Sequence, residues 1–95
     1  MQKENNPKSV FIYTLSHPIT REIRYVGKTV KKLNDRLKNH IWESKQLACY
    51  RHKWISKLIK DDLKPEIKIL DIVTEDDWQF WESYWIEQLV AWGLR

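Results

Sequence analysis

The sequence predicts an α+β domain whose elements run β-β-α-α-β-α, one layer of sheet with three helices. Three observations carry that prediction. Two β-branched and aromatic runs flank a proline-containing turn between Val10 and Gly27, and a third such run, Ile67 to Val73, follows Pro65. The remaining long segments repeat apolar residues every three or four positions. At 95 residues the chain can build one core but not two, so residues 9–95 are read as a single domain behind a polar tail at 1–8.

Val10-Phe11-Ile12-Tyr13-Thr14-Leu15 has no helix cap before it and reads as a strand. Ser16-His17-Pro18-Ile19-Thr20 is the turn, and Arg21 to Gly27 resumes an alternating pattern. The two-residue strand repeat puts Phe11, Tyr13 and Leu15 on one face, with Ile23, Tyr25 and Gly27 on one face of the partner, so the two tyrosines stand side by side. Gly27 is one of two glycines in the chain and marks a place where backbone bends or something approaches closely.

Thr29 is expected to cap a helix over 30–44, with Val30, Leu33, Leu37 and Ile41 at helical spacing and Lys32, Arg36 and His40 along another face. Gln46 to Cys49 connects it to a short basic helix, Tyr50 to Lys60. Asp61-Asp62-Leu63-Lys64-Pro65 stops that helix, and the strand Ile67 to Val73 is placed beside the two hairpin strands. Thr74 is expected to cap the last helix, with Glu75, Asp76 and Asp77 at its positive end and its finish near Trp92. There Trp78, Trp81, Trp85 and Leu89 form a stripe, widened by Phe80, Tyr84 and Ile86, that is read chiefly as core. Glu82 sits at the edge of that stripe, where the ordinary reading is solvent exposure or a lysine partner.

With 42% hydrophobic and 32% charged residues, the composition suits a folded domain and argues against disorder. No apolar run approaches the roughly 18 residues of a membrane helix, and the start has no signal-peptide core, so a cytoplasmic protein is expected. Cys49 stands alone, which excludes an internal disulfide and a cysteine-based metal site, and His17, His40 and His52 are too scattered to suggest zinc. Charge is uneven along the chain. Arg21 to Lys60 balances at +9 and Asp61 to Arg95 at −6, which points to a polyanion met by one side of the molecule.

Phe11-Ile12-Tyr13, Tyr25-Val26-Gly27, Arg36 with His40 four residues later, and Glu82 within Trp81-Glu82-Ser83-Tyr84-Trp85-Ile86 together resemble the GIY-YIG nuclease domain. The similarity runs from Ser9 to Gly93. It implies a three-stranded antiparallel sheet flanked by three helices, and cleavage of DNA phosphodiester bonds with one Mg²⁺ or Mn²⁺. Tyr13 and Tyr25 match the motif tyrosines, one of which orients or deprotonates the attacking water; Arg36 matches the arginine that holds the scissile phosphate. His40 matches a histidine or tyrosine position near that water, Lys28 matches a lysine of some members, and Glu82 matches the single metal-binding carboxylate. Two departures stand out: Phe11 replaces the first motif glycine, and no counterpart appears for the asparagine that follows the last helix.

The residue types suit that chemistry. A guanidinium gives a phosphate two donors, one carboxylate suits a Mg²⁺ that keeps several waters, and a phenol with a pKa near ~10 needs cations beside it to act as a base. The rivals are a nucleic-acid-binding module of the same fold that has lost cutting, and a domain whose exposed tryptophans bind a protein. Target choice is expected to come from a separate DNA-recognition domain, a protein partner or a homodimer. Phe11 is expected to pack over the end of the sheet.

Overall fold

The computed structural model describes residues 8–46 and 50–93; most of the polar tail and the lone thiol of Cys49 lie outside that range. The elements are β1 (Ser9–Ser16), β2 (Ile23–Thr29), α1 (Leu33–Ser44), α2 (Tyr50–Lys60), β3 (Glu66–Thr74) and α3 (Trp78–Ala91). All pairings are antiparallel, and the strand order is β2-β1-β3. The third strand therefore pairs with β1 alone, not with both hairpin strands. β1 is the most apolar strand and takes the centre, where Val10, Ile12, Tyr13 and Leu15 are all buried.

Each face of the sheet has its own core. Tyr13 and Leu15 pack with Ile55 under α1 and α2, joined by Leu33, Leu37, Ile41 and Trp54. On the opposite face Ile12 and Val26 pack with Leu89 of α3, joined by Leu70, Val73 and Trp85. Ile23 belongs to this second core, which corrects the expectation that it shares a face with Tyr25. A register shift at Leu15/Ser16, where Ser16 pairs with Ile23 and Leu15 with Tyr25, leaves Arg24 as an extra residue and reverses the alternation. The Arg24 guanidinium carbon lies 5.5 Å from the centroid of the Trp54 ring, and its Nη1 lies 3.6 Å from Glu22 Oε1.

The turn is tighter than its sequence suggests. His17 N–H donates to Glu22 O and Arg21 N–H to His17 O, each at 2.9 Å, while His17 Nδ1 accepts from the N–H groups of Ile19 and Thr20. Arg21 has φ 68°, so it belongs to the turn, and β2 starts at Ile23. His17 is thereby occupied in shaping a loop. At the end of α2, Leu63 N–H donates to Leu58 O and Asp62 N–H to Ile59 O, with Asp62 at φ 64°. This is the double-bond helix stop that needs one left-handed residue, and a short polar side chain tolerates that conformation.

Both threonine caps are corrected. Thr29 is the last residue of β2, and its Oγ1 accepts from Lys31 N–H, so α1 starts at Leu33 and Val30 stays 61% exposed outside the helix. Thr74 likewise ends β3, its carbonyl accepts from Asp77 N–H, and α3 starts after Asp77 with no side-chain cap. In both places a hydroxyl that would cap a helix follows a strand whose ladder claims the residue first.

The aromatic helix divides along its length. Trp85 and Leu89 face the sheet, and Trp85 Nε1–H donates to Asp71 Oδ2 at 2.9 Å, tying α3 to β3. Phe80, Tyr84 and Ile86, expected to widen the core stripe, are exposed instead, since a sheet covers one side of a helix and this one is apolar nearly all round. Phe11 is half-buried and belongs to neither core, so the expected packing role is weaker than a core position would give. No helix among the described residues is long and apolar enough to cross a membrane.

Candidate active site

Antiparallel register sets Tyr13 opposite Gly27 and Leu15 opposite Tyr25, so the two tyrosines are diagonal neighbours on one face. Their ring centroids are 6.1 Å apart. A Cβ added at Gly27 would lie 2.7 Å from both Tyr13 Oη and Tyr25 Cε2, so the Tyr13 phenol rests on bare backbone. Close approach, not a bend, is what this glycine permits. Gly27→Ala should lower stability by about 1–3 kcal/mol, the usual cost of overpacking, as read by thermal or denaturant unfolding. A variant that unfolds at the wild-type midpoint would mean that the phenol does not lie across residue 27.

α1 brings the third ring. Helical spacing places His40 one turn beyond Arg36, and its ring enters the space beside the tyrosines, with centroids 5.9 Å from Tyr13 and 5.4 Å from Tyr25. His40 Nε2 and Tyr13 Oη are 2.6 Å apart, a hydrogen bond whose direction is set by the imidazole tautomer. Both residues are 0% exposed, whereas Tyr25 is half-buried. Of the three polar rings, Tyr25 is the one that solvent reaches.

Arg36 is half-buried, and its side chain makes no hydrogen bond or ion pair with the described residues. Lys28 follows Gly27 on β2, so alternation turns it to the α3 side, where its Nζ lies 4.5 Å from the Trp78 ring centroid. Glu82 is half-buried on α3. Burial pushes its carboxyl above the usual carboxylate range, and the charge of Lys28 pulls it partly back. The structure thus gathers the predicted residues in two sets, the rings of Tyr13, Tyr25 and His40 on one face, and Lys28 with Glu82 on the other. The edge strand β2 joins them, since Tyr25, Gly27 and Lys28 lie along it.

Two neighbours were not legible in the sequence. Trp78 falls in the apolar stripe of its helix and Asp71 within a β-like run, and neither the contact across to Lys28 nor the Trp85 hydrogen bond has a local spacing signal. Among the described residues no group of three or more His, Cys, Asp or Glu side chains is gathered that could hold a metal. One carboxylate suits a hard cation of the Mg²⁺ kind, which takes one or two carboxylates and keeps several waters; Glu82 is half-buried, and among other half-buried acids Glu66 pairs with Arg21 and Asp71 accepts from Trp85.

Compared with known families, residues 9–95 match the GIY-YIG catalytic domain. No curated protein and no solved structure matches the chain.

Proposed function

The chain belongs to the GIY-YIG catalytic-domain family, a nuclease-type fold, and from that membership we propose that it is a divalent-metal-dependent endonuclease hydrolysing DNA phosphodiester bonds. The observation that carries the reading is the three-ring cluster over Gly27, with the Tyr13–His40 hydrogen bond buried behind the solvent-reaching Tyr25. A purely structural core does not need three polar rings packed on a residue without a side chain.

Hydrolysis needs a water in line with the phosphorus, donors for the phosphoryl oxygens and relief for the leaving alkoxide. Tyr25 takes the first role, its oxygen orienting the water and, as the phenolate, accepting the water's proton to become the phenol. The Tyr13–His40 pair holds the ring of Tyr25 in place and lends the buried side of the site a proton acceptor. Arg36 supplies two N–H donors to the phosphate, with no partner among the described side chains to give up first. Glu82 would hold one Mg²⁺ or Mn²⁺, which supplies positive charge for the leaving oxygen. Lys28 adds a second positive charge on the same side.

The test is nicking of supercoiled plasmid in Mg²⁺, in Mn²⁺ and in EDTA. Nicking with either metal and none in EDTA is expected. A protein that binds DNA in EDTA but nicks with neither metal would be the binding module of the same fold, the reading that the substitution of Phe11 for a motif glycine favours. Binding itself is expected to run through phosphates on the basic stretch Arg21 to Lys60. Between about 50 and 200 mM salt the affinity should then fall by orders of magnitude, as several phosphate contacts require. A change of less than a few-fold, measured by fluorescence anisotropy, would contradict that footprint.

A further inference from the structure

Trp42 on α1 is 63% exposed and belongs to neither core. Phe80 and Trp92 are as exposed, at 64% and 70%, but they lie in the acidic stretch from Asp61 onward, whereas Trp42 lies in the basic one. Its surroundings are basic. Exposed Lys38 and Lys45 lie four residues before and three after it, and so flank it on the same helix face. Between Lys31 and Gln46 there are five Lys/Arg against Asp35 and Glu43, and exposed Asp35 lies on the same outward side, seven residues before Trp42. A flat apolar ring between cations fits a strand whose phosphates meet the lysines and whose base meets the ring.

Six residues separate Trp42 from Arg36, which is about 9 Å along the helix axis and about a third of a turn around it. In a duplex the bases are stacked inward, so a base that reaches this ring must be unpaired. We propose that Trp42 is a stacking platform for an unpaired nucleotide of the strand whose phosphate Arg36 holds, and that the substrate class is DNA with single-stranded nucleotides beside the cut, such as a flap or a gap. The inference rests on the reading of this domain as a DNA endonuclease and narrows it to substrates with unpaired bases. A continuous duplex gains nothing from Trp42.

The experiment is binding in EDTA, by fluorescence anisotropy, of three labelled DNAs of the same sequence: a single strand, a duplex and a duplex bearing an unpaired flap. Trp42→Ala should weaken the single strand and the flap by about 5- to 160-fold, the range spanned by stacking of one base on an aromatic ring, and change the duplex less than about twofold. Trp42→Phe should recover most of the loss. Equal losses on all three DNAs, or none on any, would overturn the proposal. So would a wild-type dimer that Trp42→Ala turns into a monomer in sedimentation while binding stays unchanged, because the ring would then be a contact between copies. Nicking is scored separately: a wild type that never nicks yet shows the Trp42-dependent preference would sink the nuclease reading and leave the stacking platform standing.

Discussion

Glu82→Gln should lose metal-dependent plasmid nicking by more than about 100-fold while its affinity for DNA in EDTA stays within about twofold of wild type. Changing only a group that orients a metal ligand typically costs about 10–100-fold, so removing the charge of a direct ligand should exceed that. The amide keeps the shape of the side chain, and α3 keeps its packing through Trp85 and Leu89. Glu87→Gln is the control, because Glu87 is exposed five residues on and well round the helix. Undiminished cutting by Glu82→Gln, or lost cutting by Glu87→Gln alone, would remove the assignment.

The pH dependence follows from the same carboxyl. Burial raises the pKa of the metal-free carboxyl and Lys28 opposes the rise, so protons should displace the metal, and nicking fall, at a higher pH than for an exposed carboxylate at the same metal concentration. Replacing Lys28 with Met removes the opposing charge and should move that acid limb to higher pH. For stability the sign is reversed from a salt-bridged carboxylate. A folded pKa above the unfolded one favours the folded state while the group is protonated, and that contribution is lost as pH rises through the folded value. Glu82→Gln should therefore match or exceed wild-type stability above the carboxylate range, where the wild type keeps a partly desolvated charge.

How much of this was legible in the chain depended on how local each signal is. The tyrosine pair followed from the two-residue strand repeat, and Gly27 announced a close approach, because both are properties of one hairpin. Ile23 was misplaced because a single extra residue at Arg24 reverses the alternation, and nothing in Glu22-Ile23-Arg24 signals a bulge. Thr29 and Thr74 carry the capping hydroxyl but are the last residues of their strands, and capping propensity alone does not encode where a strand ends. On α3 the apolar residues spread nearly all round, so the pattern could not say that Leu89 is buried and Phe80 is not. The burial that shifts Glu82 and the Lys28 contact with Trp78 both depend on how α3 lies across β2, which no spacing within either element encodes.

Tyr25→Phe and Tyr13→Phe should separate cleanly. Tyr25 is half-buried and the only one of the three rings that an incoming water can meet, so deleting its hydroxyl should reduce nicking by about 10²- to 10⁴-fold, the usual worth of a general base. Its ring remains to pack against Tyr13 and His40, and the unfolding midpoint should hardly move. Tyr13 is 0% exposed and its hydroxyl is spent on His40 Nε2 at 2.6 Å. Tyr13→Phe takes a buried polar atom's partner away, at about 1–3 kcal/mol, and in a domain of this size each kcal/mol lowers the midpoint by about 4–8 °C. Its nicking should fall less than that of Tyr25→Phe when both are assayed below their midpoints. His40→Phe should copy the stability loss of Tyr13→Phe, and the double variant should lose less than the sum, since the two changes remove one shared hydrogen bond. If Tyr13→Phe instead stops cutting at an unchanged midpoint while Tyr25→Phe cuts normally, the water meets Tyr13, and the buried pair is the reacting end of the site.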